Sequence, residues 1–87
     1  HSETDSYQQI YSMLTGNQRR LLRAIAHEKK VDSINASAFI NRYQLTGTSS
    51  VNTALKALIN KELVFQSGSS YQVYDRFMVL WLQSLAF

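Results

Sequence analysis

"ASAFINRYQLTGTSSVNTALKALINKELVFQSGSSYQVYD", residues 36–75, decides how this chain folds. Asn35 stands where a side-chain oxygen can cap a helix over residues 36–44, with Phe39, Ile40 and Tyr43 turned inward. The pattern breaks at Gly47, and Ser49 is then placed to cap a second helix over 49–62. Val51, Ala54, Leu55, Leu58 and Ile59 recur at helical spacing and are expected in the core, while Asn52, Thr53, Lys56, Asn60 and Lys61 face out. Two β-rich runs follow, 63–66 and 71–74, on either side of a loop centred on Gly68. That spacing predicts a β-hairpin.

Upstream, "TDSYQQIYSML" (4–14) places Tyr7, Ile10, Tyr11 and Leu14 on one helical face. Thr15 and Gln18 are three apart, the spacing of a capping box, and they open a helix over 16–29 with Leu21, Leu22, Ile25 and Ala26 as its buried stripe. Arg19, Arg20, Arg23, Lys29 and Lys30 occupy the remainder of that helix and its end. "VDSIN" admits a short bridging strand around Ile34, and Asp75 caps a last helix. The order is helix, helix, short strand, helix, helix, hairpin, helix. This describes an α+β, mostly helical winged helix-turn-helix with an extra N-terminal and a C-terminal helix.

Eighty-seven residues form one small domain with a single modest core. The opening His1-Ser2 reads as a tag remnant, leaving 3–87 as a single domain expected to be the C-terminal piece of a longer protein. The absence of cysteine excludes disulfide, zinc-finger and thiol-nucleophile chemistry within this chain and fits a cytoplasmic protein. No apolar run approaches the roughly 18 residues of a membrane span. Nine Lys/Arg against six Asp/Glu give a charge of +3, which permits nucleic-acid binding without demanding it.

Chemistry of catalysis is sparse. His1 and His27 and the scattered carboxylates have no metal-ligand spacing, and no serine lies in a G-x-S-x-G elbow. His27, beside Glu28 near a helix end, reads as a solvated or capping residue. None of Gly16, Gly47 and Gly68 begins the G-x-x-x-x-G-K-[ST] loop that aims backbone amides at phosphates. No catalytic residue, cofactor or metal is therefore expected.

Two surfaces stand out instead. If the second helix of the pair enters a DNA major groove, Ser49, Ser50, Asn52 and Thr53 reach base edges, with Lys56 and Lys61 further along and Ser67 and Ser69 on the hairpin. Against this, Ser49 has a capping role to fill, the helix lacks the arginine that most often reads guanine, and the hairpin loop has no cation for phosphates. The cluster formed by Arg19, Arg20 and Arg23 with Lys29 and Lys30 lies on a helix that usually sits behind the reading surface. The last helix is apolar nearly all round, with Phe77, Met78, Val79, Leu80, Trp81, Leu82, Leu85 and Phe87. Phe77, Val79, Trp81, Leu82 and Leu85 are expected to be covered by something outside the domain.

"LTGNQRRLLRAIA" (14–26), "SSVNTALKALINKELV" (49–64) and "YQVYDRFMVLWL" (71–82) together resemble the C-terminal winged-helix domain of prokaryotic ATPases of the archaeal, AAA/STAND-like type. Tyr71, Val73, Asp75, Phe77 and Trp81 fall on that family's Tyr-x-Val-x-Asp-x-Phe-x-x-x-Trp ending, while Arg76 stands where a proline is common. The resemblance implies a non-catalytic regulatory module whose nucleotide chemistry lies in an upstream domain. Its expected partners are that ATPase domain or a second copy of the chain, with double-stranded DNA as the alternative and no membrane.

Overall fold

The computed structural model describes residues 2–85, so His1 and Phe87 lie outside the described residues. In chain order the elements are α1 (Ser2–Ser12), α2 (Gly16–Glu28), α3 (Ser37–Arg42), α4 (Thr48–Asn60), β1 (Val64–Ser67), β2 (Ser70–Val73) and α5 (Arg76–Gln83). The α+β winged-helix architecture read from the sequence is the one observed.

Helix α2 is the centre of the packing. Its Leu21, Leu22, Ala24, Ile25 and Ala26 have no exposed surface, and it packs on α4, α5 and β2. Leu58 of α4, Val64 of β1 and Met78 and Leu82 of α5 close the core around it. Each large side chain buried this way contributes roughly 1.5–3 kcal/mol relative to exposure in water. The capping box starts α2 as its spacing predicts. Thr15 Oγ1 accepts from the Gln18 amide at 3.3 Å, and Gln18 Oε1 accepts from the Thr15 amide at 3.2 Å.

Strands β1 and β2 pair antiparallel from Val64↔Val73 to Ser67↔Ser70. The loop is thus shorter than the sequence suggested, because Ser67 and Ser70 belong to the ladder. Gly68, the first of two turn residues, has φ 62°, the sign a tight two-residue hairpin requires there. Val64 and Val73 form one cross-strand pair, and both are buried against the helices.

Four local expectations are corrected. The bridging residue is Val31, not Ile34: Val31 and Tyr71 exchange backbone hydrogen bonds of 3.0 and 2.9 Å. Lys29 at φ 67° turns the chain straight off α2, so Val31 reaches the sheet edge early and Ile34 goes into the core. Helix α3 is shorter than 36–44, and Asn35 does not cap it; Ala36 is the N-cap and makes no side-chain bond. Gly47 rather than Ser49 is the N-cap of α4, which places Ser49 and Ser50 inside the first turn. Ile59 is 38% exposed, facing a surface hollow that it shares with Phe65 and Tyr74 of the hairpin region.

Both α3 and α4 end in the same way. Leu45 N–H bonds to Ile40 C=O (2.9 Å) and Gln44 N–H to Asn41 C=O (3.3 Å); Leu63 N–H bonds to Leu58 C=O (3.0 Å) and Glu62 N–H to Ile59 C=O (2.9 Å). These are Schellman turns, which satisfy carbonyls left over at a helix end by placing one residue in the left-handed region. Gln44 (φ 56°) and Glu62 (φ 62°) take that position without being glycine.

Candidate functional site

Three surfaces can carry function. The first is the outer face of α4. Ser49, Asn52, Thr53 and Lys56 are all exposed on it, and Ser50 is half-buried. The Thr53 hydroxyl is turned back, donating to Ser49 C=O at 3.0 Å. Ser49, Ser50 and Thr53 share a shallow groove of about 280 Å³ with Thr15, Asn17 and Gln18 at the start of α2. No cation lines that groove. Lys61 is the C-cap, beyond the helix end at Asn60, so the helix is shorter than the expected 49–62 and carries Lys56 alone as a cation. Ser67 and Ser69 are exposed at the hairpin tip, where Gln66 donates to Gly68 C=O at 3.1 Å. This face offers hydroxyls and amides in abundance but little charge for phosphates.

The second surface belongs to α5. Asp75 starts the helix: its Oδ1 accepts from the amides of Phe77 (2.9 Å) and Met78 (3.3 Å), and its Oδ2 accepts from the Tyr7 hydroxyl (2.9 Å). The apolar girth of this helix is mostly covered from within the domain. Leu82 is wholly buried and Met78 nearly so, which corrects Leu82 as a candidate for an external interface. Trp81 lies against Tyr7 and Tyr11 of α1, with ring centroids 6.1 and 5.6 Å away. Val79 and Leu85 are partly buried against the core. Gln83 donates to Ala26 C=O at 2.8 Å, tying the helix end to α2. What remains outward is Phe77, 67% exposed, with Leu80 three residues on. Tyr74, just before the helix, is also exposed and meets Phe65 of β1 edge to face at 6.0 Å. Leu80 was not among the expected interface residues, because sequence periodicity cannot say which side of an all-apolar helix is spare.

The third surface joins α2 to the end of α3. Arg42 donates to Glu28 Oε2 at 3.0 Å, and the Tyr43 hydroxyl donates to the same oxygen. The Tyr43 hydrogen bond first, and the Arg42 contact after it, hold Glu28 below the usual carboxylate range, against an opposing push from burial. Burial and then Glu28 push the Tyr43 phenol up. The arginines of α2 are plain in the sequence, but nothing in it places Arg42 and Tyr43 opposite them. The i, i+3, i+7 spacing of Arg20, Arg23 and His27 was the signal that they share a face.

Among the described residues no group of three or more His, Cys, Asp or Glu side chains gathers as metal ligands, and no helix is long and apolar enough to cross a membrane. A central helix, a helix-turn-helix pair and a hairpin on one core define a winged-helix protein. A family described as "Probable winged helix domain" matches residues 5–84, nearly the whole chain, and the protein belongs to that family. No curated protein and no solved structure matches the chain.

Proposed function

We propose that this winged-helix domain is a non-catalytic regulatory and interaction module, docking through the outer face of α5 onto the body of a prokaryotic ATPase. The observation that carries this reading is the position of Phe77. Of the five residues on the Tyr-x-Val-x-Asp-x-Phe-x-x-x-Trp ending, four are occupied inside the domain. Tyr71 pairs with Val31, Val73 is buried, Asp75 caps α5 and Trp81 packs on α1. Phe77 has no such role and stands 67% exposed beside Leu80 and Tyr74, an apolar surface suited to burial against another protein. Nucleotide state in the ATPase body would then act mechanically, by changing how firmly this face is docked.

The alternative is DNA recognition by α4, favoured by the exposed Asn52 and the hydroxyl-lined groove at its start. One experiment separates the two: anisotropy of a labelled mixed-sequence duplex titrated with the domain at about 50 and about 200 mM salt. The docking reading expects flat traces at both. Binding that weakens steeply with salt, and that Lys56→Ala or Lys61→Ala abolishes, would overturn it in favour of DNA. In the parent ATPase, Phe77→Ala should release the domain from the body; release undetectable by cross-linking would count against the docking face.

A further inference from the structure

Three arginines from two helices line a cleft between α2 and the end of α3. Arg20, Arg23 and His27 form one wall and Arg42, Tyr43 and Gln44 the other, around a volume of about 520 Å³. Arg23 and His27 are half-buried at its floor, whereas Arg20 and Arg42 are exposed at its rim. None of the six lining residues is acidic. Glu28, which does not line the cleft, is engaged by Arg42 and Tyr43 and holds both in place.

Arg20 and Arg23 bring guanidinium charge to one wall, and Arg42, already paired with Glu28, closes the other, so an anion in the concavity meets positive charge from both sides. Each guanidinium presents a planar fork of donors that matches two oxygens of a phosphate, and such charge-assisted bonds are stronger than neutral ones. The volume lies within the range of small-molecule sites. A duplex fits poorly, since none of the α4 residues that would read bases lines the cleft.

We propose that this cleft binds the phosphate end of a small phosphomonoester, with Arg23 at the floor and Arg20 and Arg42 clamping from the rim. Tyr43 lines the same wall, with its hydroxyl proton committed to Glu28. The site shares no residue with the exposed Tyr74, Phe77 and Leu80, so it stands or falls independently of the docking face.

The test is amide proton–nitrogen NMR of the domain titrated with inorganic phosphate and with a nucleoside monophosphate, against sodium chloride at matched ionic strength. The expected result is saturable shifts confined to residues 20–27 and 42–44, absent with chloride. Arg23→Gln should weaken the affinity about tenfold or more, the order expected on losing one good charge-assisted contact, while Lys56→Gln leaves it unchanged. Arg42→Gln, at an exposed position, serves as a second variant if Arg23→Gln does not fold. Non-saturating shifts equal in chloride, or an affinity untouched by both variants, would overturn the proposal. So would saturation of the same amides by a glutamate-rich peptide or a short duplex with no response to phosphate, which would assign the cleft to a macromolecule.

Discussion

Tyr7 donates its hydroxyl proton to Oδ2 of Asp75 at 2.9 Å, joining the first helix to the cap of the last across 68 positions of sequence. The two oxygens of Asp75 thus divide their work: one holds two amides of α5, and the other holds α1. Tyr7→Phe removes one hydrogen bond and should cost about 1 kcal/mol. Asp75→Ala removes the cap as well and should cost about 2–3 kcal/mol. Asp75→Asn keeps a capping oxygen and should fall between them. Urea unfolding of the three variants, with the double variant closing the cycle, measures the coupling.

Helix α5 should separate cleanly into an inner and an outer side under truncation. Leu82→Ala opens a cavity beside α2 and should lower stability by about 2–5 kcal/mol. Phe77→Ala touches an exposed side chain and should stay within about 0.5 kcal/mol of the parent domain. A large loss of stability in Phe77→Ala would show that the phenyl ring serves the fold rather than a partner.

The Schellman turns predict gains. A side chain in the left-handed region costs about 1–2 kcal/mol, partly offset by the extra unfolded-state freedom of glycine, about 0.5–1 kcal/mol. Gln44→Gly and Glu62→Gly should therefore each stabilise the domain by roughly 0.5 kcal/mol and raise the thermal midpoint. The matching alanine variants, which keep a Cβ at the strained position, should not.

Glu28 makes stability depend on acid. Its folded pKa is held below the ordinary value of 4.5, chiefly by the Tyr43 hydroxyl and then by Arg42. A carboxylate depressed in this way contributes stability that is fully present above the ordinary value and is lost as pH falls through the folded one. Unfolding free energies of the parent and Glu28→Gln domains, compared between about pH 6 and about pH 3, should converge at the acid end. Curves that stay parallel would show that the contact has no energetic weight.

The architecture was legible because its signals are periodic and local. Leu21, Leu22 and Ile25 repeat at helical spacing, Thr15 and Gln18 cap reciprocally, and Gly68 marks the hairpin. The misplaced boundaries share a cause. Asn35 and Ser49 both suit a side-chain cap, yet Ala36 and Gly47 hold the positions. The bridge at Val31 depended on a left-handed Lys29 that no propensity announces. Of the residues expected on α4, Ser49, Asn52, Thr53 and Lys56 are exposed on its outer face, while Ser50 is half-buried and Lys61 lies past the helix end. The cleft was not legible, because Arg20 and Arg42 meet only through tertiary packing. Nor could the spare side of α5 be told from the buried one, since Leu80 and Leu82 look alike until α1 and α2 are in place.

The packing of Trp81 against Tyr7 and Tyr11 has a practical meaning. It is the single tryptophan of the chain, and it sits at the seam between α1 and α5. A helix of 11 residues is too short to persist alone in water, so α1 keeps its shape only while it stays on that seam. Lifting it would wet the indole while leaving the core around α2 closed, giving a partial opening below global unfolding. The colour of this domain's intrinsic fluorescence should therefore change when the first helix leaves its seat, an optical readout of that one contact.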